Sequence, residues 1–435
     1  MNRYGVFNRG LKKLPALAEL LGGQIVPCLF SAPADLTATL GWGRRKYARR
    51  AMRTAQERCI PFLCLEDGFL RSVELGRTDS PLSVVVDDLG IYYDATAPSR
   101  LESLISKPLS NSESTRAEAL IDAWCTGRVS KYNHLPEPNN CPEVSPPDSK
   151  QGREGLTTGE KAQGHYVLAA DQTFGDASIR YGLAEPKSFE RMLQAALDEN
   201  PRSTVLVKIH PDVFSGRKRG YFDARTLSRI ARVQVVAEDL HPVRLIEKAL
   251  AVYVVTSQIG FEGLLWGKPV RTFGMPFYGG WGLTQDDLPA PQRRRPAALE
   301  QLAHAALIAY PRYVNPETGK RCEVEEVLAH IALQRRLRGR YPHHVYGVGF
   351  SRWKKPSWMA GRTPPSGLSA CCTSCTRRSL LVKVPSFSAK EAPGSTMSAT
   401  AAVSVMKRSC TTRRSSDSSA WRTWLRSGSD SIGFS

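Results

Sequence analysis

Short apolar runs of strand length recur along most of this chain, and several end abruptly in polar residues. Gln24–Phe30, Ile60–Leu65 and Leu82–Val86 come first, the latter two running into Glu66-Asp67-Gly68 and Asp87-Asp88-Leu89-Gly90. Tyr166–Ala170, Thr204–Ile209, Val233–Val236, Ala251–Val255 and Val270–Phe273 continue the series. Between them lie helix-patterned stretches, around Arg44–Arg58, Ser188–Leu197, His241–Lys248 and from Gln258 through Trp266. A run with no polar alternation must be covered on both faces, which is the condition of a strand in a parallel sheet. Repeated strand–helix units of this kind predict doubly wound α/β sheets.

The series is interrupted once. Asn139–Gly164 is rich in Pro, Gly, Ser, Lys and Glu with little apolar period, so residues 136–164 read as a linker or surface insertion. This predicts a Rossmann-like domain over 1–135 and a second over 165–350, the latter closed by helices that follow Ala297 and end near Arg340. Residues 351–435 differ in kind: they are rich in Ser, Thr and Arg and show no sustained apolar period. Disorder or an aberrant tail is the expectation there.

That tail also distorts the charge. The chain carries a formal net charge of +19 over 435 residues, yet Ser351–Ser435 alone holds 14 Lys/Arg against 3 Asp/Glu. More than half of the basic excess is therefore unpatterned, and no nucleic-acid-binding motif accompanies it, so nucleic acid is not expected as a partner. The milder excess of residues 1–350 suits an anionic substrate or membrane surface. Met1–Gly10 lacks a secretory pattern, no run reaches membrane-span length, and of the ten cysteines Cys372 and Cys375 form a CxxC with no second pair at zinc spacing. A cytoplasmic setting with reduced thiols is the simplest expectation.

Candidate chemistry sits at strand ends. Val207-Lys208-Ile209-His210-Pro211 places Lys208 and His210 at the carboxyl end of a strand, where α/β folds hold ligands and a cation can receive a departing phosphate. A strand-terminating turn is the commoner use of His-Pro, and His241-Pro242 reads simply as a helix start. Thr256-Ser257-Gln258-Ile259-Gly260-Phe261-Glu262 follows a strand and opens a helix. Its Ser hydroxyl and free N–H groups can bind an anion, with Gly260 permitting close approach, or can be an ordinary N-cap. Asp171-Gln172-Thr173-Phe174-Gly175-Asp176 offers two carboxylates, either able to attack an anomeric carbon or to cap a turn. Glu66 and Asp67 suit acid/base work on a hydroxyl. Asp87-Asp88 lacks further ligands, so no metal is expected. Phe277-Tyr278-Gly279-Gly280-Trp281-Gly282 could stack a sugar or base, or pack as a loop around a buried Trp.

Together, Leu65–Ser72, Ser130-Lys131-Tyr132-Asn133, Asp171–Tyr181, Lys208–Pro211, Thr256–Glu262 and Phe273–Thr284 resemble, in order, the KpsC family of capsule β-Kdo transferases. The resemblance covers most of residues 1–350. It implies two Rossmann-like domains in a GT-B-like arrangement and a retaining transfer of the acidic sugar Kdo from CMP-Kdo to a lipid-linked Kdo acceptor. No cofactor beyond that donor substrate is implied. It further implies a place at the cytoplasmic face of the inner membrane, beside other capsule assembly proteins. On the same resemblance, His210 and the Ser257-Gln258 turn contact the CMP phosphate with Lys208 nearby, and Glu262 helps hold the nucleotide. Asp176 is preferred to Asp171 as nucleophile, and Glu66 and Asp67 face the acceptor. Family members carry two such modules and only one is recognisable here, resembling the amino-terminal one, so a single linkage is expected. A non-catalytic nucleotide- or polysaccharide-binding subunit of the export machinery, or an inactive truncated product, is the competing expectation.

Overall fold

A computed structural model describes residues 1–12, 14–44, 48–74, 80–131, 133–135, 137, 166–209, 213, 218–236 and 240–340. His210, nearly all of 136–164 and the whole of 351–435 lie outside the described residues. Two sheets organise the rest. The first has seven strands: β1 (Asn2–Val6), β2 (Gly23–Pro27), β3 (Ala38–Trp42), β4 (Phe62–Asp67), β5 (Ser83–Asp87), and, much later in the chain, β12 (Pro311–Val314) and β13 (Arg321–Cys322). Their spatial order is β13-β12-β5-β4-β3-β1-β2. The second sheet contains β6 (Tyr166–Ala170), β7 (Thr204–Lys208), β8 (Val233–Val236), β9 (Val252–Val254), β10 (Val270–Thr272) and β11 (Gln285–Asp286), in the order β11-β10-β9-β6-β7-β8.

The second sheet is parallel throughout. Counted from its first strand, the order is that of a dinucleotide-binding fold, with the direction of winding reversing between β6 and β9. The sequence dictates this plainly: every residue of β6 and β7 is buried, and helices Pro186–Glu199, Pro242–Lys248 and Gln258–Leu265 supply the crossovers. Pro186 and Pro242 each occupy a first-turn position, where a missing N–H costs nothing. His241 is fully buried, and its Nδ1 accepts from Val243 N at 3.4 Å. It is a helix cap, and burial holds its imidazole well below the usual range.

The first sheet departs from expectation in one respect. β1 to β4 are mutually parallel, but β5 runs antiparallel to β4. Among the described residues no helical crossover separates β4 from β5, and a parallel return needs one. β12 then adds antiparallel to β5. The closing segment of the chain therefore returns to the first sheet, where the sequence predicted only helices. Those helices form on either side of it, Leu299–Ala303 continuing as a π-helical turn His304–Ala309, and Val324–Arg340 packing on Asn111–Gly127. One hydrophobic cluster runs through both halves, from Cys64, Phe69 and Trp124 to Tyr166, Phe261 and Trp281. At its centre the rings of Phe69 and Phe277 lie 4.3 Å apart.

Candidate active site

The carboxyl ends of the parallel strands of both sheets face a cleft of about 660 Å³. It is lined from the first half by Arg44, Glu66, Asp67 and Tyr92, and from the second by Asp171, Asp176, Lys208, Ser257 and Gln258. Of the residues expected from sequence to meet donor or acceptor, Glu66, Asp67, Asp176, Lys208, Ser257, Gln258 and Glu262 line it, Gly260 does not, and His210 lies outside the described residues.

The reversal point of the second sheet is held together by Gln172. Its Oε1 accepts from Thr256 N at 2.9 Å and its Nε2 donates to Thr256 Oγ1 at 3.1 Å. Ser178 Oγ closes the set at 3.1 Å from Thr256 Oγ1. The loops leaving β6 and β9 are thereby fixed to each other. Sequence reasoning assigned no role to Gln172, because its partner is 84 residues away.

The two aspartates of the first of these loops part company. Asp176 is exposed in the cleft and caps Ala177–Tyr181, its Oδ1 accepting from Ser178 N at 3.0 Å. Asp171 is 3% exposed. Its Oδ1 accepts from Gln172 N at 2.8 Å and Tyr221 N at 3.1 Å, and burial raises its carboxyl to about 6. Asp171 thus ties the Gln172–Asp176 loop to the Gly220–Tyr221 segment. That tie is continued by a bridge between Thr173 and Gly220 and by Phe174 N donating to Arg219 O at 2.7 Å.

Ser257 caps the Gln258–Leu265 helix through Oγ, which accepts from Ile259 N at 3.3 Å. Its carbonyl accepts the Tyr278 hydroxyl. A Cβ on Gly260 would press into that same hydroxyl, so the glycine is required by Tyr278, where the sequence suggested a ligand's approach. Phe277, Tyr278 and Trp281 are all buried. The Gly-rich aromatic segment is packing behind the turn, and only Phe277 reaches the cleft wall. Gln258 Nε2 donates across the cleft to Phe69 O at 2.8 Å.

Glu262, expected to hold a nucleotide, is 1% exposed and has protein partners. It accepts from Ser130 Oγ at 2.9 and 2.7 Å and from Lys131 N at 3.0 Å, and burial raises it to about 7. It fixes Lys131, itself a lining residue. In the first half, Asp67 pairs with Arg71 Nε at 3.0 Å. Glu66 stands beside Gly43, whose φ of +51° and lack of a Cβ leave room for the carboxylate and the Tyr93 hydroxyl. Asp87 accepts from Leu89 N, Gly90 N and Tyr310 Oη, and Asp88 pairs with Arg100 at 2.6 Å. No group of three metal-ligating side chains occurs among the described residues. No helix among them is long and apolar enough to cross a membrane.

These features define an α/β protein with a dinucleotide-type sheet, whose cleft gathers acids from two halves and a lysine at a strand end. Comparison with known proteins narrows that description. A family model described as capsule polysaccharide biosynthesis protein matches residues 37–313, and the chain belongs to that family. The capsule polysaccharide modification protein LipA of Neisseria meningitidis serogroup A is 41% identical over 357 residues, 80% of this chain and 48% of the relative. The lipopolysaccharide-processing protein LpsZ of Rhizobium meliloti is 36% identical over 298 residues, 68% of this chain and 63% of that protein. The chain thus spans about half the length of LipA. Among solved structures, the β-Kdo 2,4 transferase of Thermosulfurimonas dismutans KpsC is 41% identical with a TM-score of 0.65, covering 76% of this chain and 98% of that one. The β-Kdo 2,7 transferase of the same KpsC is 26% identical with a TM-score of 0.58, covering 77% and 100%. The resemblance to KpsC drawn from the motifs holds in sequence and in structure.

Proposed function

We propose that this chain carries a retaining β-Kdo transferase module of GT-B type, moving Kdo from CMP-Kdo to a lipid-linked Kdo acceptor in capsule biosynthesis. The observation that carries this reading is the cleft that Asp176, Lys208 and Ser257 share with Glu66. Asp176 attacks the anomeric carbon while the bond to the CMP phosphate breaks. The phosphate departs toward Lys208 and the free N–H groups at the start of the Gln258–Leu265 helix, both of which favour an anion. His210 belongs beside them by the motif alone. In the second step the acceptor hydroxyl displaces Asp176 and yields its proton to one of the two acids of the first-half wall, Glu66 or Asp67. Two displacements at one carbon retain configuration.

Identity of 41% to the 2,4 enzyme against 26% to the 2,7 enzyme favours a 2,4 linkage. The donor is the only small molecule required, and the acceptor's lipid calls for contact with the inner membrane and with other capsule assembly proteins. The test is mass spectrometry of the full chain with CMP-Kdo and a soluble Kdo-capped acceptor, beside Asp176→Ala. Addition of one Kdo, lost in the variant, is expected. No addition by folded protein that still binds CMP overturns the enzyme and leaves a binding subunit.

A further inference from the structure

The first half carries a surface the cleft does not use. The segment leaving β2, the edge strand of the first sheet, displays Phe30 with 93% of its surface exposed. This display is built. Arg50 donates to the carbonyls of Leu29 and Phe30 at 2.6 and 2.9 Å, and Arg58 donates to those of Ala32, at 2.6 Å, and Pro33. Carbonyls are neutral, so neither guanidinium is paired with an acid there; Arg50 also lies over the Phe7 ring, 5.4 Å from its centroid. Arg49 and Arg53, one turn apart on the exposed side of the Arg49–Glu57 helix, make no hydrogen bond or ion pair among the described residues. Nearby acids do not balance four arginines: Asp35 is paired with Arg3, and Glu57, one turn from Arg53 and next to Arg58 in the chain, is a single charge.

An exposed ring held out beside four unneutralised arginines fits a phase that is anionic at its surface and apolar beneath, as in a bilayer containing anionic lipid. A free acidic polysaccharide would satisfy the arginines and leave Phe30 in water. Position adds to the argument. β2 is parallel to its neighbours as far as β4, so Phe30 emerges at the same edge of the sheet as Arg44, Glu66 and Asp67. A bilayer lying against Phe30 meets the sheet edge from which the cleft opens, on its acceptor side.

We propose that Phe30 and the Arg49–Glu57 helix form a docking surface for an anionic lipid bilayer. The inference deepens the lipid-linked acceptor reading, and its test is independent of transfer. The full chain is sedimented with phosphatidylcholine vesicles with and without phosphatidylglycerol, and hydrogen exchange is compared with and without the vesicles. Binding that requires phosphatidylglycerol, with protection over residues 28–34 and 49–58, is expected. The triple variant Phe30→Ser, Arg49→Glu, Arg53→Glu removes side chains that hold nothing in the fold. Two arginines lost predict binding about thirtyfold weaker, and reversing their charge adds to that. Because the basic residues of 351–435 are present in both proteins, equal binding of variant and wild type, or protection confined to that tail, overturns the proposal. So does a wild type that ignores the vesicles, which points to a protein partner instead. Transfer to the soluble acceptor should be unchanged in the variant. A wild type inactive in that assay defeats the proposed enzyme and leaves the vesicle result standing.

Discussion

Asp171 and Asp176 stand five residues apart in one loop, and burial separates their roles. A nucleophile must be reachable, and of the two only Asp176 is exposed. Asn caps helices as well as Asp does, so Asp176→Asn spares the fold while removing the carboxylate proposed to attack. A fall in kcat on the order of 10⁴, with unchanged thermal stability, is expected from loss of a covalent nucleophile. Asp171 makes the opposite prediction. Its folded-state value, about 6, lies above its ordinary 3.8, so between these values the folded chain holds a proton that the unfolded chain has lost. Stability contributed here is full below about pH 4 and falls as pH rises to about 6. Asp171→Asn keeps an acceptor for Tyr221 N and removes the buried charge. Its stability relative to wild type should therefore climb by up to about 3 kcal/mol between pH 4 and pH 7, read from denaturant melts across that range. A flat difference would mean the charge is compensated in the fold. The pair was visible in sequence, but the order of roles came from a motif, because exposure depends on Gly220 and Tyr221, fifty residues downstream.

At the scale of elements, Gly260 and Tyr278 act as one device. The fully buried Tyr278 ring cannot retreat from a Cβ at position 260. Gly260→Ala should cost about 1–3 kcal/mol by overpacking. Tyr278→Phe should cost about 1 kcal/mol, the net worth of the hydrogen bond that its hydroxyl donates to Ser257 O. The double variant should cost less than the sum, because the hydroxyl is part of the clash, and a double-mutant cycle of denaturation free energies measures the difference. Strands buried on both faces, β6 and β7 above all, were legible because each is an unbroken apolar run. β1 and β3 were not, since Asn2–Val6 and Ala38–Trp42 mix polar residues and glycine into short strands. β12 was hidden because its sequence, Pro-Arg-Tyr-Val, is no stronger than a loop, and its partner β5 lies over 200 residues earlier. The direction of β5 was illegible for a related reason: an apolar run states burial and not orientation.

At the scale of the molecule, sequence reasoning divided residues 1–135 from 165–350, and the packing joins them. The central hydrophobic cluster has no boundary between the halves: Phe69 lies among Phe261, Phe277 and Tyr310. Ser130 and Lys131 are held by Glu262, Phe69 O by Gln258, and Ala95 N donates to Tyr181 O at 2.9 Å. β12 then returns the chain to the first sheet after the second is complete. Each half has clusters of its own, but the largest is common to both, so the described residues should unfold in one cooperative step. Native-state hydrogen exchange tests this directly. Amides of β3 and β7, one strand from each sheet, should open with the same limiting free energy. Phe69→Ala, expected to cost about 3–5 kcal/mol as a buried aromatic truncation, should lower both by an equal amount. If the variant lowered β3 protection and left β7 unchanged, the halves would be separate domains that share only a cleft. An equal loss would mean that the rings behind the cleft hold both catalytic walls, and that the spacing of Glu66 from Asp176 is set by the core.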